Sequence, residues 1–370
     1  MRRLLAGGTQ ETGLIAVVLL LGLLLTFGAA PVRLATGEVV NNFLRLDNLI
    51  PNVATPMSWI AIMALGVTVV IVAGGIDISI GSIFGLAALG TAAVLQRLDE
   101  HASAALVWPL AASIALGIGA ACGLVNGLLV VGLRMHPFIV TLGTLTIFRG
   151  LALVSVAEKS LPSGARTLPL AMTSAGVAWP LQIARGDLPP LRIEPVPTLI
   201  MLVCGVVTAV LLSRTVLGRQ LYAIGGNEEA ARFSGIPVGR AKLVAYVLSG
   251  LAAGIAGFIS TGYFGSANTA TGEGYELHVI AAAVVGGASL SGGRGTALGA
   301  LLGALVIKLI ENGIFILKQI NFGLFVLPLS KEYSKIIIGI AILLAVATDR
   351  FSEYIRTRAA RGRPSGPPRP

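Results

Sequence analysis

Long uninterrupted runs of apolar residues restrict the fold of this 370-residue chain more than any other feature. A helix needs about 20 consecutive apolar residues to cross roughly 30 Å of hydrocarbon. Charged residues make up only 12% of the sequence, about half the share found in soluble domains, so they are too few to cover a globule of this size. The 47 glycines agree with this, because small residues let membrane helices approach closely. The sequence predicts an integral membrane protein.

The apolar runs predict ten helices, and therefore an all-α polytopic membrane fold of about ten transmembrane helices. The predicted ranges are 12–32, 52–73, 78–96, 104–131, 137–156, 197–213, 243–262, 277–289, 296–317 and 333–349. The eighth range is too short to span a bilayer alone, and a very short link joins the second range to the third. At both places we expect broken or re-entrant helices instead of complete crossings.

The distribution of Lys and Arg among the loops predicts the orientation. If the N-terminus is cytoplasmic, the loops on that side hold a clear excess of basic over acidic residues. The loops on the other side hold about as many acidic as basic residues. Because basic residues concentrate in cytoplasmic loops, we expect both termini to be cytoplasmic. We attribute the net charge of +10 to these loops and expect no nucleic acid as a partner.

One transmembrane domain, residues 1–350, makes up most of the chain. It contains a Pro-rich loop at 157–196, expected on the periplasmic side, and a polar loop at 214–242, expected on the cytoplasmic side. Residues 351–370 are rich in Pro and Arg and too poor in apolar residues to fold alone. We expect them to form a disordered basic cytoplasmic tail, attracted to the anionic headgroups of membrane lipid.

The loop at 214–242 contains a short predicted helix. Two glycines end the preceding segment, Asn227 is a favourable N-cap, two glutamates follow where the helix dipole favours acids, and Gly235 stops the helix. A helix of one to two turns is not stable alone in water, so it is either incidental to a connecting loop or a coupling helix that docks into a soluble motor. The segment comprises Gly225, Gly226, Asn227, Glu228, Glu229, Ala230, Ala231, Arg232 and Gly235.

Four long segments of the chain carry a family resemblance. They are 64–89 (ALGVTVVIVAGGIDISIGSIFGLAAL), 126–153 (NGLLVVGLRMHPFIVTLGTLTIFRGLAL), 225–236 (GGNEEAARFSGI) and 274–303 (GYELHVIAAAVVGGASLSGGRGTALGALLG). In order and in spacing they resemble the ribose/xylose/arabinose-type permeases of bacterial ATP-binding cassette (ABC) importers. The sequence departs from that family in the loops at 157–196 and 318–332.

The resemblance implies a non-catalytic permease subunit for a simple sugar in the bacterial cytoplasmic (inner) membrane. It implies that a second permease copy or a paralogue completes the pore, that an ABC ATPase subunit binds the coupling segment, and that a periplasmic sugar-binding protein delivers the sugar. The chain has no GxxxxGK[ST] phosphate loop, no nucleophile motif and no spacing typical of metal ligands. We therefore expect no catalytic residue, cofactor or metal in this chain, and ATP with Mg²⁺ to be used by the partner ATPase.

Polar side chains within the apolar runs are candidates for the translocation pathway, because polar groups in hydrocarbon are costly. The candidates are Asp77, Ser79, Asn126, Thr141, Thr144, Arg149, Glu311 and Asn312. Some of them have a structural alternative. Asp77 can cap a restarting helix, which is the role we favour for it, threonines can bond back to helical carbonyls, and Lys308 can neutralise Glu311. The segments 74–82 and 286–294 share their placement of Gly and Ser, which suggests duplicated breaks.

Two other functions stay open on sequence alone. The first is a permease for another small polar solute, such as a branched-chain amino acid. The second is a secondary transporter driven by an ion gradient, with Asp77, Lys308 and Glu311 as the candidate coupling charges. Uphill uptake by the chain without an ATPase would identify the second. An intramembrane enzyme has no motif in its favour.

Overall fold

A computed structural model describes residues 2–34, 37–156, 158–164, 166–173, 181–185, 188–317, 319–321, 326–330 and 332–361. Most of these residues are helical. In chain order the helices are α1 (Arg2–Gly28), α2 (Leu46–Asn48), α3 (Thr55–Val72), α4 (Ile80–Leu95), α5 (Ala104–Gly132), α6 (Pro137–Val154), α7 (Pro195–Arg214), α8 (Val216–Gly226), α9 (Glu228–Phe233), α10 (Val238–Phe264), α11 (Tyr275–Val285), α12 (Ala297–Leu317) and α13 (Glu332–Arg361). A π-helix, Leu49–Ala54, joins α2 to α3.

Each of the ten predicted segments is occupied by a helix. Within the described part of the chain, 7 helices are long and apolar enough to cross a membrane, the α2–π–α3 unit counting as one of them. The apolar helices α4 and α11 are shorter. They adjoin the two places where the sequence predicts broken helices. The chain is a polytopic membrane protein.

The structure differs from the sequence prediction in two polar segments, both of which are expected on the cytoplasmic side. The loop at 214–242 contains α8, which the apolar runs did not indicate, and α10 begins at Val238, five residues before the predicted start at 243. The last helix, α13, continues to Arg361, so the prediction of a disordered tail from residue 351 is wrong for 351–361. Arg and Ala, which supply five of these eleven residues, have high helix propensity. Residues 362–370 of that prediction lie outside the described residues.

Short strands occupy several connections between helices, so the all-α prediction holds for the membrane helices and not for these loops. All the strand pairs among the described residues are antiparallel. Each pair except the second joins strands that follow one another in the chain. The pairs are β1 (Pro31–Arg33) with β2 (Val39–Asn41), β3 (Ser160–Leu161) with β6 (Ala267–Asn268), β4 (Leu181–Arg185) with β5 (Leu188–Ile193), and β7 (Gln319–Asn321) with β8 (Val326–Pro328). The predicted periplasmic loop at 157–196 thus contains β3, β4 and β5.

Helix α3 lies at the centre of the bundle. Its residues from Met57 to Val72 are all buried, and α7, α10, α11 and α12 pack around it. A helix that is apolar on every side has to be enclosed, and here other helices enclose it. By contrast, α1 and α7 expose about half or more of large side chains such as Leu19, Leu23 and Val206, as expected of surfaces that face hydrocarbon.

Helices α5 and α10 approach each other through glycines. Gly119 and Gly123 on α5 face Gly250 and Gly254 on α10, and a Cβ on Gly119 would overlap the Gly250 carbonyl oxygen. Small residues allow this approach where no hydrophobic driving force acts between helices. The contact fixes the relative position of two helices that carry buried polar residues.

We expect Gly119→Ala to destabilise the bundle by about 1–3 kcal/mol, because overpacking a close contact costs about this much. Gly117→Ala is the matched control on the same helix, since a Cβ there meets no atom within 4 Å. The Tm of each purified variant in detergent measures the difference. Equal Tm values for the two variants would contradict the close packing of α5 against α10.

Candidate functional site

The predicted coupling segment forms a short capped helix, α9. The Asn227 side chain accepts a hydrogen bond from the Ala230 backbone N–H at 2.9 Å, which is the expected N-cap. Gly235 has a φ of 77°, and the N–H groups of Gly235 and Ile236 donate to carbonyls three and five residues earlier. This left-handed glycine cap ends α9 as the sequence predicts, and the six residues of the helix agree with the predicted length of one to two turns.

The base of α9 is tied to α10 by an ion pair. Glu228 contacts Lys242 on α10 at 2.6 Å and Arg232 at 3.0 Å. The hydrogen bond from Lys242 holds the pKa of Glu228 below its usual value of 4.5. A carboxylate whose pKa falls on folding stabilises the fold above its unfolded pKa and loses that contribution as the pH falls through its folded pKa. The tie is therefore complete at neutral pH and weakens only below about pH 4.5.

The outer face of α9 is open to solvent. Phe233 is 91% exposed, and Glu229, Ala230 and Arg232 are exposed beside it. Ala231 is buried against the bundle. The helix therefore presents one large apolar side chain among charged ones, at a position held by a cap and an ion pair.

Backbone from three parts of the chain meets directly behind α9. We call this contact the glycine junction, and its residues are Gly74, Gly225, Gly226, Gly292 and Gly293. The Gly293 N–H donates to the Val72 carbonyl at 3.0 Å. A Cβ on Gly225 would overlap the Val72 carbonyl oxygen and the Gly293 nitrogen. The junction therefore has no room for a side chain at Gly225.

The glycine junction joins two helix breaks of the same construction, 73–79 after α3 and 286–296 after α11. Gly74 and Gly287 have φ values of 77° and 94°. In each break this glycine N–H donates to the carbonyl three residues earlier, and the next N–H donates to the carbonyl five residues earlier. Both helices thus end in a Schellman motif, which agrees with the breaks at matching places suggested by the sequence.

Asp77 lies in the first break, with hydrogen bonds to both carboxylate oxygens. Its Oδ1 accepts from the backbone N–H and the hydroxyl of Ser79 at 3.1 and 2.6 Å, and its Oδ2 accepts from the Ser249 hydroxyl at 2.8 Å. All three residues are fully buried. A carboxylate that accepts from the N–H two residues on forms an Asx turn, here immediately before α4. The serines thus satisfy the carboxylate, as expected, but the N-cap position of α4 is Ser79 and has no side-chain cap hydrogen bond, so Asp77 holds the turn before the helix and does not cap the helix itself.

The hydrogen bonds continue from Asp77 into α5 and α6. Asn126 donates to the Ser79 hydroxyl at 2.7 Å, and Thr144 donates to Asn126 at 2.6 Å. Thr141 lies one turn away on α6, and its hydroxyl donates to the Pro137 carbonyl of its own helix at 3.0 Å and to the Ile76 carbonyl of the first break at 3.3 Å. Five of the predicted pathway residues therefore form one buried group, the Asp77 network: Asp77, Ser79, Asn126, Thr141 and Thr144. In this conformation they face each other and not a cavity, so their role in the pathway stays a prediction.

The other three predicted pathway residues lie elsewhere. Arg149 donates to the Thr271 carbonyl at 2.7 Å and so holds the loop before α11 against α6. Glu311 and Asn312 line a cavity of about 390 Å³. Lys308 and Glu311 form an ion pair, as the sequence suggested.

Three contributors to these sites were missed by sequence reasoning. Tyr222 donates to the Gly295 carbonyl at 2.6 Å beside the glycine junction. Asn48 and Asn52 lie next to the cavity, and Asn48 exchanges side-chain hydrogen bonds with Asn312 at 2.8 and 3.1 Å. Their spacing of four residues at the start of an apolar run was an available signal, because amides at membrane depth need partners.

The chain matches a known family of transport proteins over most of its length. The family model described as branched-chain amino acid transport system / permease component covers residues 49–346. The chain belongs to this permease family.

Individual relatives of the permease have named sugars as substrates. The ribose import permease of Bacillus subtilis (strain 168) is 40% identical over 309 residues, which cover 83% of this chain and 85% of the relative. The D-allose permease of Escherichia coli (strain K12) is 33% identical, with 85% and 87% covered. The galactose/methyl galactoside import permease of the same strain is 36% identical, with 85% and 90% covered. These relatives confirm the resemblance to sugar permeases. No solved structure matches the permease.

If Asp77 acts through its buried hydrogen bonds to Ser79 and Ser249, Asp77→Asn should be tolerated better than Asp77→Leu. An amide keeps an acceptor for Ser79 and offers a donor to Ser249, whereas leucine leaves buried donors unpaired at about 1–3 kcal/mol each. The Tm and the yield of folded protein in detergent measure the difference. Equal and complete loss in both variants would show that the charge itself is required.

Proposed function

We propose that the permease carries a simple sugar across the bacterial inner membrane as the membrane subunit of an ABC importer. The observation that carries this proposal is the set of relatives, named for ribose, allose and galactose transport, whose identity of 33–40% extends over more than four fifths of both chains. The family description names branched-chain amino acids, which makes these the second candidate substrate. Uptake measured with both classes separates the two.

In this proposal α9 is the coupling helix to which the ATPase subunit binds. Aromatic side chains often anchor protein interfaces, and Phe233 is 91% exposed. The Asn227 cap and the Glu228–Lys242 pair hold the helix at a fixed angle to α10. A force on Phe233 therefore displaces α9 together with its base and does not unfold the helix.

The glycine junction supplies the connection from α9 to the membrane helices. Gly226 joins α9 to Gly225, whose backbone touches the carbonyl of Val72 and the nitrogen of Gly293. Close-packed interiors have low compressibility and transmit strain. A displacement of α9 therefore reaches both helix breaks without an intervening flexible side chain. The hydrogen bond from Tyr222 to Gly295 adds a second tie to the break after α11.

The Asp77 network distributes this movement. It connects the first break to Ser249 on α10, Asn126 on α5 and Thr144 on α6. Because these groups are buried and bonded to one another, separating any of them would leave unpaired polar atoms. The break and the three helices move as a group, and the pathway opens where this group slides against its neighbours.

The proposed orientation places both termini, α9 and the glycine junction on the cytoplasmic side, where an ATPase has access to them. The opposite end carries the strands β4 and β5 in the loop at 157–196 and β7 and β8 after α12, and there a periplasmic binding protein delivers the sugar. A second copy of the permease or a paralogue completes the pore.

The test uses liposomes that contain the complete importer, that is, the permease with its ATPase and binding protein. Uptake of ribose, allose or galactose should require ATP and the ATPase. Phe233→Ala should lower ATP-dependent uptake about tenfold, because an anchor side chain contributes roughly 1–2 kcal/mol or more at an interface. Phe27→Ala removes a comparably exposed phenylalanine, 84% accessible, at the far end of α1 and should have no effect.

Two outcomes contradict parts of the proposal. Normal uptake by Phe233→Ala with the ATPase still bound would exclude α9 as the coupling helix. Uphill uptake without any ATPase, dependent on a proton or sodium gradient, would identify a secondary transporter.

A further inference from the structure

The cavity beside Glu311 has no part in the coupling mechanism proposed above. It lies between the π-helix, the start of α11, the second half of α12 and the start of α13, and its volume is about 390 Å³. Cavities for small molecules begin at about 300 Å³, so one monosaccharide fits. The side chains relevant to binding are Asn52, Tyr275, Lys308, Glu311, Asn312 and Phe315.

One wall of the cavity is an ion pair at membrane depth. The side chains of Lys308 and Glu311 are only 12% and 24% exposed, and His278 lies 3.5 Å from Glu311 on the side of α11. Charged groups in a membrane domain are costly and mark binding sites by default. Because the two charges neutralise each other, the wall suits an uncharged ligand that offers both donors and acceptors.

A second wall is built from amides that the π-helix presents. Asn48 Oδ1 accepts hydrogen bonds from Asn312 at 2.8 Å and from Asn52 at 3.2 Å. The side chain of Asn52 is exposed to the cavity, and its Oδ1 has no hydrogen bond within the described part of the chain. π-helices are rare and frequently occur at functional sites. Here the π-helix leaves one amide oxygen available to a ligand.

Aromatic rings complete the lining. The ring of Tyr275 is held in place by Phe84 and His278, with ring centroids 5.5 and 5.8 Å away. Phe315 is 56% exposed. A sugar has hydroxyl groups around its edge and apolar C–H groups on its faces, so a site with polar walls and aromatic rings matches both surfaces.

The position of the cavity along α12 indicates the stage of transport that it serves. Helix α12 begins at Ala297, next to the break that contacts the glycine junction. Glu311 lies fourteen residues further along, or about 20 Å at 1.5 Å per residue. The cavity is therefore at the end of the bundle opposite α9, where an imported sugar arrives in the proposed orientation.

We propose that this cavity is the entry subsite for the sugar. Asn52 and the Lys308–Glu311 pair hydrogen-bond the hydroxyl groups, and Tyr275 and Phe315 contact the faces of the ring. This assignment rests on the proposed function and adds to it the site at which the permease itself recognises its substrate.

The test is saturation-transfer NMR on the purified full-length permease in lipid nanodiscs, with D-ribose, D-allose and D-galactose as separate millimolar probes. We expect transfer to the ring protons of at least one sugar. In Asn52→Ala and in Glu311→Gln the apparent affinity for that sugar should fall about threefold to tenfold, as expected for the loss of one hydrogen bond. The control is Glu38→Gln, which removes an exposed carboxylate in the connection between α1 and α2.

The outcomes separate this assignment from the proposed function. Asn52 is exposed, so its replacement by alanine leaves the bundle folded, and an unchanged Tm verifies this. Unchanged affinity in both variants overturns the assignment. So does the absence of transfer from a sugar that the complete wild-type importer takes up. Failure of the complete wild-type importer to take up any of the three sugars with ATP would instead overturn the proposed function.

Discussion

The account depends on one contact, the backbone of Gly225 against the Val72 carbonyl and the Gly293 nitrogen. A bundle in hydrocarbon gains little from hydrophobic contacts between its helices, since lipid tails are equally apolar. Close backbone packing and buried hydrogen bonds therefore decide which parts move together. At the glycine junction the end of α8 is packed against the breaks that follow α3 and α11, and α9 begins two residues later. A short surface helix is thereby attached to the two least regular parts of the membrane domain.

Buried polar groups connect three further helices to this unit. The Asp77 network ties α5, α6 and α10 to the first break and leaves no acceptor on Asp77 without a hydrogen bond. The cavity beside Glu311 lies about 20 Å away along α12, with its own pair of charges. In the proposed function the first group transmits force and the second recognises sugar. This division explains how polar residues of similar appearance in the sequence serve different purposes.

Properties set by local sequence were predictable, and contacts between distant segments were not. The ten apolar runs, the Asn227 cap and the Gly235 stop all follow from hydrophobicity and backbone preference over a few residues. At the glycine junction Val72, Gly225 and Gly293 are in contact, and no local sequence pattern predicts that contact. Helix α8 was missed because it is amphipathic and short. The helical stretch at 351–361 was missed because the prolines that make the tail at 351–370 unsuited to a helix all lie beyond residue 361, and the residues before them have sufficient helix propensity. The sequence alone does not show which polar residues share a site, because that depends on the three-dimensional fold.

The central claim is tested most directly by comparing two variants, Gly225→Ala and Gly226→Ala, in the complete importer. The quantity measured is the number of sugar molecules transported per ATP hydrolysed. A Cβ at Gly225 overlaps backbone of both neighbouring segments, whereas a Cβ at Gly226 meets no atom within 4 Å. The account predicts that Gly225→Ala hydrolyses ATP but moves little sugar, and that Gly226→Ala keeps the wild-type ratio. A wild-type ratio in Gly225→Ala would contradict the claim that the glycine junction transmits the movement of α9.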